Sequence, residues 1–265
     1  MVKGILHRIQ YLRKNIYLLG VLTEREIKSK YKASIIGLCW SFLNPLLYMV
    51  VLTLIFTFVI RIKIEKYPLF LLSGLLPWNF FSTTLSQTTN SIVANSSLIK
   101  KVYLPKELFP FSIILSNLLN FIFSLIVFVV LLVVFGINLK PFIICIFLPI
   151  LLSFTLLFYA GISLIFSCLN VFFRDLTYIV GVILILWFYA SPVLYPIEMV
   201  PTKYLNIYLI LNPMASIIHS YREVLFYGRA IESKYLLFMF ISSLMMFVIG
   251  YIVFTKYEDL FAEVI

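Results

Sequence analysis

Residues 33–60 read ASIIGLCWSFLNPLLYMVVLTLIFTFVI, and no charged side chain stands between Lys32 and Arg61. A helix of about 20 apolar residues crosses the hydrocarbon core of a bilayer, and this stretch is long enough to do so. Similar stretches follow, so that spans are read at 35–60, 68–95, 109–135, 142–168, 177–195 and 235–255. Six spans in 265 residues leave no length for a soluble catalytic domain. The expected fold class is an all-α integral membrane protein with six transmembrane helices per subunit.

Composition agrees with that class. The chain is 63% hydrophobic and 12% charged, where a soluble domain carries about 25% charged residues. A net charge of +10 would suggest nucleic acid as the partner of a soluble chain. Here the basic residues flank apolar spans, so anionic lipid is the expected partner and nucleic acid is not. Cys39, Cys145 and Cys168 lie far apart in apolar segments. They predict neither a disulfide framework nor a metal site.

The first 32 residues carry eight Lys/Arg and no long apolar run, so no cleavable signal is expected. Ile5, Ile9, Leu12, Ile16 and Leu19 repeat at helical spacing. That pattern predicts an amphipathic helix in the headgroup plane, with an ordinary helix packed on protein as the alternative. Thr23-Glu24-Arg25-Glu26 matches a capping box and predicts a fresh helix start. The organisation read is a cytosolic amphipathic segment over 1–34, a transmembrane domain over 35–255 and a cytosolic tail over 256–265. With the N-terminus inside, the cytosolic side holds thirteen Lys/Arg and the outer side eight, which fits the positive-inside rule with both termini cytosolic.

Two regions depart from a plain span. The second one opens apolar (PLFLLSGLLPWNFF) and turns polar but uncharged (STTLSQTTNSIVANSS), so part of it must face other helices, an aqueous path or the cytosol. The last external loop holds Pro192, Pro196, Pro201 and Pro213 yet stays apolar. Two short re-entrant helices, within about 196–228, are expected there, because irregular backbone at membrane depth must be buried in protein or line a cavity.

Catalytic chemistry is missing. There is no phosphate loop, no HExxH and no CxxC, and only His7 and His219 are histidines. No catalytic residue, metal ligand or cofactor is expected on this chain. An integral membrane glycosyl- or acyltransferase would need clustered Asp, Glu or His at one bilayer face, but Glu107, Asp175 and Asp259 are scattered. Two loops on the cytosolic side suit a docking partner: NSSLIKKVYLPKELFP (95–110) and NVFFRDL (170–176).

At these motifs the chain resembles the ABC-2 type transport permeases, in the branch that exports polysaccharide, O-antigen or teichoic acid. Lys30, Tyr31, Lys32, Ser34, Gly37, Trp40, Leu43, Asn44 and Pro45 match its opening pattern. The likeness continues through LLSGLLPWNFF (71–81), NSSLIKKVYLPKELFP, LNVFFRDL (169–176), YASPVLYP (189–196) and LNPMASIIHSYREVLFYG (211–228). It covers nearly the whole chain, in order. The resemblance implies a homodimer in a bacterial inner membrane, paired with two copies of a separate ATP-binding subunit that holds ATP and Mg. The cargo it implies is a lipid-linked glycan; a small-molecule exporter of the same architecture is the alternative.

The resemblance also implies roles for particular positions. Contact with the ATP-binding subunit falls to Leu98, Lys100, Lys101, Val102, Tyr103, Leu104, Pro105, Phe173, Arg174 and Asp175. Capping of the exit falls to the last external loop, with Pro192, Pro196, Asn212, Pro213, Tyr221 and Arg222 as gate candidates. From spacing, Trp40, Asn44 and Tyr48 share one helix face, and some of them, with Trp187 and Tyr189, are expected to line a path on which sugar rings stack, with interfacial-belt or lipid-facing aromatics as the alternative. Arg25, Lys28, Lys30 and Lys32 form a basic belt expected to attract the phosphates of a lipid carrier, with plain positive-inside anchoring as the alternative.

Overall fold

The computed structural model describes residues 15–32, 34–59, 64–102, 104–137 and 139–265, and no strand occurs among them. Much of the predicted N-terminal amphipathic pattern, including Ile5, Ile9 and Leu12, lies outside the described residues, as does Tyr103. Helix α1, Ile16–Tyr31, runs without a break through the expected capping box. The fresh start at Thr23 is therefore a correction: its hydroxyl donates back to the Leu19 carbonyl at 2.8 Å, one turn earlier. A Thr used that way bonds within a continuous helix and caps nothing.

After a turn at Gly37, whose φ of 56° is left-handed, α2 covers Trp40–Leu54 and ends in a π turn over Ile55–Val59. Helix α3 covers Tyr67–Thr89. The second span was expected to run on to 95. It stops at Asn90, and two short helices follow, α4 (Ser91–Ala94) and α5 (Ser96–Lys101). The Asn95 side chain donates to the Ser91 carbonyl at 2.8 Å, the local competition with helix backbone that Asn offers.

Helices α6 (Leu108–Val134) and α7 (Pro141–Phe172) form a hairpin at the turn expected from GINLKP. Gly136 there has φ 68°, its N–H donates to Val133 and that of Ile137 to Leu132. This is the Schellman closure, which a left-handed residue permits. Then come α8 (Leu176–Ala190), α9 (Thr202–Leu211), α10 (Pro213–Leu225), α11 (Ser233–Tyr257) and the terminal turn α12 (Phe261–Val264).

Among the described residues, four helical stretches are long and apolar enough to cross a membrane: Gly37–Phe58, Leu108–Val134, Pro141–Phe172 and Ser233–Val264. Leu176–Ala190 is apolar but shorter. Helix α3 has the length but carries too many polar residues to qualify by composition. It is instead the buried centre of the molecule, wrapped by α2, α6, α7, α8 and α10. The long apolar helices keep Ile, Leu and Val exposed on their outer faces, as lipid-facing surfaces require. Helices α7 and α11 make the closest approach: a Cβ on Gly161 or Gly250 would fall on the backbone of the opposite helix. A second apolar cluster, with Leu22, Ile99, Phe109, Cys168, Val171, Phe254 and Phe261, joins α1, α5, α6, α7, α11 and α12.

Candidate functional site

A cleft of about 470 Å³ opens between α1, α2, α3 and α6. Its wall from α2 is Trp40, Asn44 and Tyr48, the helix face expected from their spacing, and α3 adds Asn79, Thr83 and Gln87 at the same interval of one turn. Helix α6 adds Asn117, Asn120 and Ser124, while Phe80 and Phe121, stacked at 4.8 Å, close the floor. No carboxylate lines the cleft among the described residues, and Lys30 of α1 is its cation.

Hydrogen bonds hold this wall in place. Lys30 Nζ donates to Asn117 Oδ1 at 2.6 Å and to Ser116 Oγ at 3.2 Å. Asn117 Nδ2 donates to Gln87 Oε1 at 3.1 Å, and Tyr31 Oη to Asn120 Oδ1 at 2.9 Å. Burial pushes the Lys30 ammonium down to a pKa of about 8, against the pull of nearby Glu26. The rest of the basic belt lies elsewhere. Arg25 donates to Glu26 and Asn95, Lys28 pairs with Glu24 at 2.6 Å, and Lys32 is exposed.

Trp187 and Tyr189 do not reach the cleft. Trp187 Nε1 donates to Asn212 Oδ1 at 2.8 Å and its ring packs edge-on against Phe81, while Tyr189 points outward, 64% exposed. Asn212 belongs to a second polar region that gathers most of the gate candidates. Its amide donates to the Ala190 carbonyl at 3.0 Å. Arg222, 1% exposed, donates through Nη1 to Pro192 O at 2.9 Å and through Nη2 to Val193 O at 3.0 Å. Its guanidinium lies 3.7 Å from the centre of the Phe70 ring. Tyr221 is fully buried against Phe121 and accepts a hydrogen bond from Thr155. Pro213 opens α10, where a missing N–H is tolerated, and Pro196 is half-buried.

A model of the ABC-2 type transporter family matches residues 17–226. This chain belongs to that family. It is 36% identical over 249 residues to an O-antigen export system permease protein RfbA of Klebsiella pneumoniae, covering 94% of this chain and 95% of the relative. The RfbA protein of Myxococcus xanthus is 35% identical over 247 residues, covering 93% and 94%. A polysialic acid transport protein KpsM of Escherichia coli is 26% identical over 240 residues, covering 89% and 91%.

In this ABC-2 type chain the two stretches expected to meet an ATP-binding subunit border one cluster. Leu98 and Leu104 pack on the second apolar cluster, to which Val171 and Phe172 also belong. Beside them Val102 (51%) and Phe173 (66%) stay exposed, as do Lys100, Lys101, Arg174 and Asp175, whereas Pro105 is buried. The sequence reading passed over Asn79, Thr83, Gln87, Asn117, Asn120 and Ser124 as cleft residues. Their signal was a polar, uncharged stripe at one-turn spacing inside otherwise apolar helices.

Proposed function

We propose that this chain is the non-catalytic permease of an ATP-driven exporter that moves a lipid-linked polysaccharide out of the cytosol. The observation that carries this reading is the cleft: aromatic faces, neutral hydrogen-bonding groups and one ammonium at its edge. Sugar rings stack on aromatic faces, hydroxyls exchange hydrogen bonds with amides, and a carrier phosphate pairs with a cation. Many weak contacts of this kind hold a polymer while letting it slide. The relatives named for O-antigen export and polysialic acid transport favour the same cargo class.

In this proposal α2, α3, α6, α7, α8 and α11 cross the membrane, both termini face the cytosol, and α9 and α10 re-enter from the outer side. Helix α3, at about 1.5 Å per residue, is long enough to cross. Its polar residues are tolerated because protein and the cleft surround them. Two copies of this chain pair with two copies of an ATP-binding subunit. Val102, Phe173 and their charged neighbours form the docking surface, and Lys30 receives the phosphate.

Reconstitution with the cognate ATP-binding subunit and a lipid-linked glycan tests this. ATP-dependent delivery of glycan to the far side is expected, with no hydrolysis by this chain alone. Delivery of small amphiphiles but never of glycan would replace the cargo assignment.

A further inference from the structure

We infer that Glu198, His219 and Glu223 form a binding site for one divalent first-row metal ion of the zinc class. No metal ligand was expected from the sequence, since the three residues match no familiar spacing. The fold brings their ligand atoms within 4.8 Å of one another. His219 and Glu223 stand one turn apart on α10 and so share a face. Glu198 comes from the short helical turn Ile197–Met199, across from that face.

The cluster differs from a solvated acidic patch. His219 is 4% exposed and Glu223 8%, so two of the three side chains sit mostly inside the fold. A carboxylate on a mostly buried side chain gains from a nearby cation or metal. The adjacent Arg222 does not fill that role, because its guanidinium is turned to the carbonyls of Pro192 and Val193. Glu232 adds to the negative field at Glu223, while Arg229 and Arg222 oppose it. The His219 ring packs on Tyr235 of α11 at 4.2 Å, which limits its orientation.

Zinc bonds to N and O of about 2.0–2.2 Å place tetrahedral ligands about 3.3 Å apart. Closing from 4.8 Å needs a shift of about 1.5 Å, and Glu198, on the exposed arm, is free to make it. One imidazole with two carboxylates favours zinc, cobalt or manganese over calcium and magnesium. Three protein ligands leave a fourth position for water. Bound there, the metal would tie the 197–199 turn to α10 beside the contact that Arg222 already makes. The inference does not depend on the identity of the cargo.

The test uses the full chain in lipid nanodiscs, freed of any polyhistidine tag and treated with chelator, then titrated with Zn²⁺ and Co²⁺. One ion per chain, a tetrahedral Co²⁺ visible spectrum and a raised melting temperature are expected. His219→Ala, Glu223→Gln and Glu198→Gln should each weaken binding more than about tenfold, since even outer-sphere changes cost that much. Glu198→Gln alters an exposed side chain, so it remains informative if the buried variants misfold. No saturable binding, unchanged affinity in Glu198→Gln, or preference for Ca²⁺ or Mg²⁺ would each overturn the site.

Discussion

The cleft and the Arg222 knot are both polar regions in an apolar molecule, and they treat their polar groups in opposite ways. Around Arg222 all three guanidinium nitrogens donate to a carbonyl or hydroxyl within the chain, and Asn212 closes the same turn from the other side. In the cleft, Asn44, Asn79 and Thr83 face open space between helices, and Lys30 is only partly engaged. A satisfied buried network rigidifies what it joins; an unfilled polar wall is available to a passing ligand. The first region is a brace, and the second is the path only in the proposed function.

The largest way to break this contrast is Arg222→Met. It leaves the Pro192 and Val193 carbonyls without their donor, and each buried unsatisfied group costs about 1–3 kcal/mol. We expect a loss of about 3 kcal/mol or more, read as a lower melting temperature in nanodiscs. Gly74→Ala probes the same brace more gently: a Cβ there would lie 2.7 Å from Arg222 Nη2 and 3.2 Å from Val193 O. The arginine must shift, at about 1–3 kcal/mol of overpacking, and the melt should fall by less than in Arg222→Met. An unchanged melt in both would remove the knot's role.

On the cleft side, Trp40→Ala and Tyr48→Ala should leave the melt alone and slow export. An aromatic contact is worth about 1 kcal/mol, so a fall of about fivefold is expected for each, with ATP hydrolysis by the partner retained. Export at the original rate would return both rings to plain membrane packing. Lys30→Gln should weaken glycan binding at neutral pH, lose that effect at high pH, and so carry the clearest pH signature. A phosphate binds the ammonium form, and Lys30 titrates at about 8 rather than 10.5. Glycan affinity of the unaltered chain should therefore hold below that pH and fall as pH rises through it, while the variant stays flat. For folding the sign is reversed. The unfolded chain keeps this proton up to about 10.5, so the Lys30 contribution becomes more favourable as pH rises from about 8 towards that value.

The sequence made some of this contrast readable. The face shared by Trp40, Asn44 and Tyr48 follows from helical periodicity alone, and the polar half of the second span announced that something other than lipid must face it. The hairpin turn at Gly136 was equally local, as its chemistry sits in consecutive residues. What stayed hidden depends on which helix lies beside which. Lys30 looked like one of four belt cations, and only the packing of α1 on α6 separates it from Arg25 and Lys28, which spend their charge on Glu26 and Glu24. Arg222 was read as a gate residue; its burial on Phe70 and the 192–193 carbonyls could not be seen before α3, α10 and the turn were assembled. That the Trp187 N–H is held by Asn212, away from the cleft, was hidden for the same reason.

Photo-crosslinking of a lipid-linked glycan tests the distinction most directly. A photoreactive side chain at Asn79, in the cleft wall, and another at Tyr178, exposed on α8, are compared in the complex with the ATP-binding subunit. The account predicts glycan adducts at Asn79 that diminish when ATP drives export, and only bulk-lipid adducts at Tyr178. Equal glycan capture at both positions, or none at Asn79, would contradict it.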